Sequence, residues 1–197
     1  MVRQKVQTEM EFGPQDVLSA VRATAADPPG SIVMQDATFQ KLTRRRVLLG
    51  AELLAQQWEP LWSPTSQKVG VLLPNINATP VVILSLWMRG LVPAILNYTT
   101  GPAILLACAQ LAGLKQIITS RQFIERAKLN TEPLTRAGIQ LVYLEDVRSR
   151  IGRRRKLFTL LRHRLHLPST RHECKASDTA VVLFTSGSEG TPKGVEL

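Results

Sequence analysis

Residues Val181–Leu197 read VVLFTSGSEGTPKGVEL. At its start, read with the preceding Asp178–Ala180 as DTAVVLFT, apolar and β-branched residues run almost unbroken, which predicts a strand buried on both faces. In the second half glycine, hydroxyl side chains, proline and lysine crowd together. A buried strand followed by such a turn is a physical solution for holding phosphate. Gly187, Gly190 and Gly194 let backbone amides approach the oxygens, Thr185, Ser186, Ser188 and Thr191 add donors, and Lys193 supplies a positive point charge. An ordinary surface turn needs one or two Gly or Pro positions, not this many. The spacing is not that of a Walker A loop. Counted from Gly187, Pro192 stands where the second glycine belongs and Gly194 where the metal-binding hydroxyl belongs. No G-x-G-x-x-G follows any strand, so the simplest dinucleotide-binding reading falls away.

Upstream of this stretch the chain alternates between two periodicities. FGPQDVLSAVRATA predicts a short helix and SIVMQD a short strand. LTRRRVLLGAELLAQQW carries Leu42, Val47, Leu48, Ala51, Leu54, Ala55 and Trp58 at helical spacing. KVGVLLP predicts a strand ended by Pro74, and Asn75 or Asn77 is a candidate cap for the helix that runs to Met88. LVPAIL is the next strand, GPAILLACAQLAG a helix closed by Gly113, and KQIITS another strand. RQFIERAKL and TEPLTRAG predict short helices before the strand IQLVYLED, and DTAVVLFT reads as the last strand. Apolar strands separated by helices imply an α/β fold with a mostly parallel sheet covered on both faces. No internal repeat or low-complexity linker interrupts residues 1–197, and the one composition break is a basic connecting segment at residues 148–175.

At 197 residues and 44% hydrophobic content, the chain is long enough to bury a real core. The most apolar run, VVILSLWMRGLVPAIL, is broken by Arg89, Gly90 and Pro93 before it reaches the roughly 20 residues of a membrane span. The N-terminal MVRQKVQTEMEFGPQD has no apolar region behind its basic residues, so a cytoplasmic setting is expected. Cys108 and Cys174 sit in no metal or redox spacing and are expected to be reduced thiols. His163, His166 and His172 are expected at the solvated surface and no metal site is predicted. Trp58, Trp62 and Trp87 read as core or loop packing more than as walls of a substrate site.

The net charge of +10 is mostly one local feature. Between Arg148 and Arg164 stand eight Lys or Arg residues and no Asp or Glu. No aromatic ladder or zinc spacing accompanies them, which argues against nucleic acid as partner. From Lys156 onward a helical wheel puts Leu157, Leu160, Leu161, Leu165 and Leu167 on one broad face with Phe158, and Arg162, His163 and His166 opposite. Three readings of residues 151–167 stay open. The apolar face packs on the domain beneath solvated arginines, or the helix lies on an anionic membrane, or the patch docks an acidic protein.

The turn resembles the phosphate loop of the adenylate-forming superfamily, whose signature T-S-G-[ST]-[TSE]-G-x-P-K-G is matched in order by Thr185, Ser186, Gly187, Ser188, Glu189, Gly190, Pro192, Lys193 and Gly194. SGSEG, LVPAILNYTTGP, IITSRQFIERAKL and LVYLEDV together are similar to the synthetase domain of bacterial 2-acylglycerophosphoethanolamine acyltransferase/acyl-[acyl-carrier-protein] synthetases. That resemblance spans most of residues 67–197. It implies the N-terminal part of the large domain of such an enzyme, with ATP and Mg as cofactors and a fatty acid as substrate. The acceptor it implies is acyl carrier protein, in lysophospholipid reacylation at the inner membrane, peripheral or tethered. Lys193 would neutralise the departing pyrophosphate while residues 185–192 and Gly194 hold phosphate. Glu189 repels phosphate unless it faces away or toward Mg. The family's adenine, ribose and metal elements and its mobile lysine are expected beyond Leu197, so residues 1–197 alone are expected to be inactive. Two alternatives stand beside this reading: a ligase joining another carboxylate to CoA, and a catalytically silent fragment that acts through its basic segment.

Overall fold

The computed structural model describes residues 16–23, 28, 30–58, 67–164, 175, 177–186 and 192–197. Gly187, Ser188, Glu189, Gly190 and Thr191 lie outside the described residues, as do Trp62, His166, His172, Cys174, Leu165 and Leu167.

Helix α1, Val17–Ala23, opens the described chain, and the Asp16 carboxylate accepts the Ser19 backbone N–H at 2.8 Å as its cap. Strands β1, Ile32–Gln35, and β2, Lys41–Thr43, form a separate antiparallel hairpin. Helix α2 is Arg44–Trp58, β3 Lys68–Val71, α3 Ala78–Trp87 and β4 Val92–Ile95. After a 3-10 turn at Tyr98–Thr100 come α4, Pro102–Leu111, and β5, Gln116–Thr119. Then follow α5, Arg121–Arg126, α6, Glu132–Arg136, β6, Gln140–Tyr143, and α7, Leu144–Ser149. Helix α8, Arg153–Arg164, precedes β7, Val182–Ser186, and β8, Pro192–Glu196. The main sheet has the order β6-β5-β3-β4-β7-β8, parallel throughout except for β8, which returns antiparallel to β7.

The expected α/β architecture is present, and burial explains the unbroken apolar strands. Neighbouring residues of a strand point to opposite faces. Ile118 joins Val69, Val71 and Val142 under α2 and α3, whereas Ile117 joins Ala94 and Val182 under α4 and α6. At Gly70 the two strands come too close for a side chain, because a Cβ would lie 2.6 Å from the Ile117 side chain. Helices α2 and α3 are tied by a buried polar link. Trp58 Nε1 donates to Ser85 Oγ at 2.8 Å, and Ser85 Oγ donates to the Val82 carbonyl at 2.6 Å. Trp58 is therefore core, as its helical spacing implies.

The structure corrects four details of the sequence reading. Leu42 and Thr43 belong to β2, so α2 starts at Arg44, whose first turn receives a cap from Thr43 Oγ1 at 3.4 Å from the Arg46 N–H. Asn77 does stand at the start of α3, but its side chain makes no cap. Its amide donates to the Gln40 carbonyl at 2.7 Å and so docks the β1–β2 hairpin. The strand expected to run to Asp146 ends at Tyr143, because Glu145 and Asp146 open α7. There Glu145 accepts from Ser120 Oγ at 2.7 Å, and Asp146 takes a two-pronged pair of hydrogen bonds from Arg121 at 2.6 and 2.7 Å. Finally β7 is not the last strand, since PKGVE forms β8 at the sheet edge.

Candidate phosphate-binding site

Strands β7 and β8 are the two sides of a hairpin whose connection is the glycine-rich turn. Phe184 pairs with Gly194, Thr185 with Lys193, and Ser186 with Pro192. Thr185, Ser186, Pro192, Lys193 and Gly194 thus form the stem, while Gly187–Thr191 are the connection and lie outside the described residues. Residues directly opposite in an antiparallel pair share a face. The Thr185 hydroxyl and Lys193 ammonium therefore stand side by side at the head of the stem, both exposed. Lys193 has no ion-pair partner among the described residues. At Gly194 no packing demands glycine, since a Cβ there would meet Leu111 at an ordinary 3.6 Å.

The stem ends at the carboxyl end of a parallel strand, the edge at which open α/β sheets bind ligands. An ammonium and a hydroxyl on one face there fit a phosphate group in charge and in donor chemistry. No group of three metal-ligating side chains gathers among the described residues.

The turn after β4 flanks the same edge. Ala94 pairs with Val182, so the chain leaving β4 at Asn97 runs up beside the end of β7. Asn97 Oδ1 accepts from the Thr99 N–H at 3.0 Å and from Thr99 Oγ1 at 2.9 Å, and Thr100 Oγ1 donates to the Asn97 carbonyl at 2.8 Å. Tyr98 packs edge-on against Phe123, ring centroids 5.1 Å apart. Of Pro93–Gly101, expected as a strand-to-helix connection, Pro93–Ile95 belong to β4 and residues 96–101 form the connection, which holds its own shape.

A larger hollow of about 810 Å³ lies elsewhere, lined by Lys68, Trp87, Val92, Thr179 and Glu196 among others. Lys68 and Val92 begin their strands, which puts this hollow at the amino ends of the sheet, away from the glycine-rich turn. It is closed at one side by the Lys68–Glu196 ion pair. That ammonium, with a hydrogen bond from Thr179, holds the Glu196 carboxyl below its usual value. Trp87 Nε1 donates to the Ala180 carbonyl at 2.7 Å, a packing role. Cys108 is a buried free thiol, its pKa pushed up by burial.

Helix α8 departs furthest from expectation. Thr159 is completely buried, and its Oγ1 accepts from Gln56 Nε2 of α2 at 3.3 Å. Arg162 turns inward as well, with Nη1 3.5 Å from Glu52 Oε1, and both side chains are largely covered. Leu157, Phe158 and Leu161 are instead 67, 62 and 51% exposed. The reading in which this apolar face packs on the domain fails for these three residues, while Leu160 is half-buried and Leu165 and Leu167 lie outside the described residues. Polar side chains take the inner position because α2 presents Glu52 and Gln56 there. The only hint in the sequence is a lone Thr amid RRRKLFTLLR.

A protein-family profile described as AMP-binding enzyme matches residues 21–197. Solved structures with the same fold include VinN in complex with 3-methylaspartate, at 22% identity and a TM-score of 0.72, covering 91% of this chain and 46% of that one. The Klebsiella oxytoca NpsA N-terminal subdomain in complex with 3-hydroxybenzoyl-AMSN matches at 16% identity and 0.69, covering 91% and 40%. The fatty acyl-adenylate ligase from L. pneumophila, in complex with acyl adenylate and pyrophosphate, matches at 16% and 0.69, covering 93% and 30%. The chain thus spans less than half the length of each of these proteins.

Proposed function

For a chain that belongs to the AMP-binding enzyme family, we propose that it carries the phosphate-holding part of an adenylate-forming ligase that activates a fatty acid and passes the acyl group to acyl carrier protein. The observation that carries this reading is the hairpin stem. It sets Thr185 beside Lys193 at the carboxyl edge of a parallel sheet, on either side of S-G-S-E-G-T-P. Residues 1–197 then form the N-terminal part of the large domain, with 148–175 as a basic connection inside it.

ATP is a substrate in this scheme. A carboxylate oxygen of the fatty acid attacks the α-phosphorus, the bond to the bridging oxygen breaks, and pyrophosphate leaves with that electron pair. A thiol next attacks the acyl carbonyl, and AMP departs. The chain's part is electrostatic. The Lys193 ammonium meets charge that grows on the leaving pyrophosphate, and Thr185, Ser186, Ser188 and Thr191 with the loop amides orient its oxygens. Gly187 and Gly190 let backbone approach, while Gly194 continues β8 in the stem. Mg would shield the same phosphates when bound.

The test is fatty-acid-dependent ATP–pyrophosphate exchange by the complete protein. Lys193→Ala is expected to slow exchange on the order of a hundredfold, since one such contact is worth about 3 kcal/mol in the transition state, while fatty-acid binding changes little. Unchanged exchange would show that the loop does not hold phosphate. Competition between acyl carrier protein and CoA as acceptor decides between the proposed reaction and a CoA ligase.

A further inference from the structure

Helix α8 is held to the domain through Thr159 and Arg162, with Leu160 half-buried beside them, and it presents Leu157, Phe158 and Leu161 outward. The orientation is fixed by two contacts with α2, the Gln56–Thr159 hydrogen bond at 3.3 Å and the Glu52–Arg162 ion pair at 3.5 Å. With Thr159 fully buried at this contact, Leu157, Phe158 and Leu161 fall on the exposed side. A contiguous group of large apolar side chains held in water in this way marks an interaction surface rather than a packing fault.

The surroundings say what it meets. Arg153, Arg154, Arg155 and Lys156 form the first turn, and from residue 148 to 164 no carboxylate appears in the sequence. Glu52, the carboxylate that reaches the helix from α2, is buried against Arg162. A shallow hollow of about 480 Å³ is lined by Phe158 together with Gln56, Arg154, Arg155 and Arg162, so basic side chains border the exposed ring. We propose that this face of α8, Leu157, Phe158 and Leu161 with the cations of its first turn, docks on an anionic phospholipid leaflet. The apolar side chains enter the headgroup boundary, and the arginine and lysine stems lie alongside with their charges on lipid phosphates. The four consecutive cations spread right round the helix, so they match a diffuse sheet of negative charge better than carboxylates fixed at set positions on a folded protein.

The experiment is co-sedimentation of the complete protein with vesicles of phosphatidylcholine alone, or of phosphatidylcholine mixed with phosphatidylglycerol. Association is expected with the mixed vesicles only, and to weaken as salt is raised. Arg153→Gln with Arg154→Gln should weaken it by roughly fivefold per charge removed. Phe158→Ser with Leu161→Ser should weaken it as well, at unchanged helix content by circular dichroism. If the serine pair fails to fold, the glutamine pair still decides. Three results would overturn the proposal: no association with anionic vesicles, association that neither variant reduces, or a soluble acidic carrier protein retained in an α8-dependent way when vesicles are not. This docking does not depend on the proposed chemistry, since pyrophosphate exchange is read without vesicles.

Discussion

Helices α2 and α8 lie against each other and both repeat apolar residues at helical spacing, yet they face opposite ways. Helix α2 buries Val47, Ala51, Leu54, Ala55 and Trp58 against strands and α3. Helix α8 buries Thr159 and turns Leu157, Phe158 and Leu161 to solvent. The difference lies in what each helix meets. The sheet offers α2 a surface of valines and isoleucines, so its apolar stripe goes inward. By the time α8 docks, the remaining surface is the back of α2, where Glu52 and Gln56 need polar partners. An amphipathic pattern defines a stripe, and the neighbour decides whether that stripe becomes core.

The comparison is broken most severely at Trp58. Replacing it by alanine removes the largest fully buried side chain among the described residues and takes away the Trp58 N–H that donates to Ser85, so a loss of about 3–5 kcal/mol in denaturant unfolding is expected. A loss below about 1 kcal/mol would show that α2 is not anchored through its apolar face. Next comes Glu52→Ala, which removes the carboxylate 3.5 Å from Arg162 in a largely covered position and is expected to cost roughly 1–3 kcal/mol. Replacing both partners by apolar residues, Glu52→Met with Arg162→Leu, should recover most of that loss, because neither charge is then left unpaired.

The exposed Arg121–Asp146 pair, which joins α5 to α7, sharpens the contrast with the covered one. Its guanidinium also lies 4.0 Å from the centre of the Tyr143 ring. Hydrogen bonding from Arg121 holds the Asp146 carboxyl below its usual 3.8. A depressed carboxyl contributes its full stabilisation above the ordinary value and loses it as pH falls through the lower, folded-state value. Asp146→Asn should therefore lower the melting temperature slightly at neutral pH, and the difference from the parent should close in acid. A difference that persists in acid would mean that the pair works through shape rather than charge. Smallest of all is Phe158→Ser, expected within about 0.5 kcal/mol of the parent in unfolding, because the ring is already in water. A large loss there would put the apolar stripe of α8 back in the core.

The central strands were legible because their middle residues are buried on both faces and are apolar, whereas β7, expected to be buried on both faces, exposes Leu183 and Thr185 near the sheet edge. KVGV, VPAI and QIIT sit within a residue or two of where their apolar runs put them. The hairpin partner β8 was not legible. Pro192, Lys193, Gly194 and Glu196 look like loop, and an edge strand tolerates all four since one side of its backbone faces solvent. The same blindness hid β2, where Lys41 and Thr43 flank a single leucine.

By itself, then, the sequence determined the alternation of strands and helices, the α/β class and the order of residues in the glycine-rich turn, because those depend on local period and residue type. Tertiary structure alone decided that Thr185 faces Lys193 across a hairpin, that Asn77 docks β1–β2 instead of capping α3, and that α8 turns Leu157, Phe158 and Leu161 outward. Each of these depends on which unsatisfied group the rest of the chain brings within hydrogen-bonding reach, and no window of neighbouring residues contains that information.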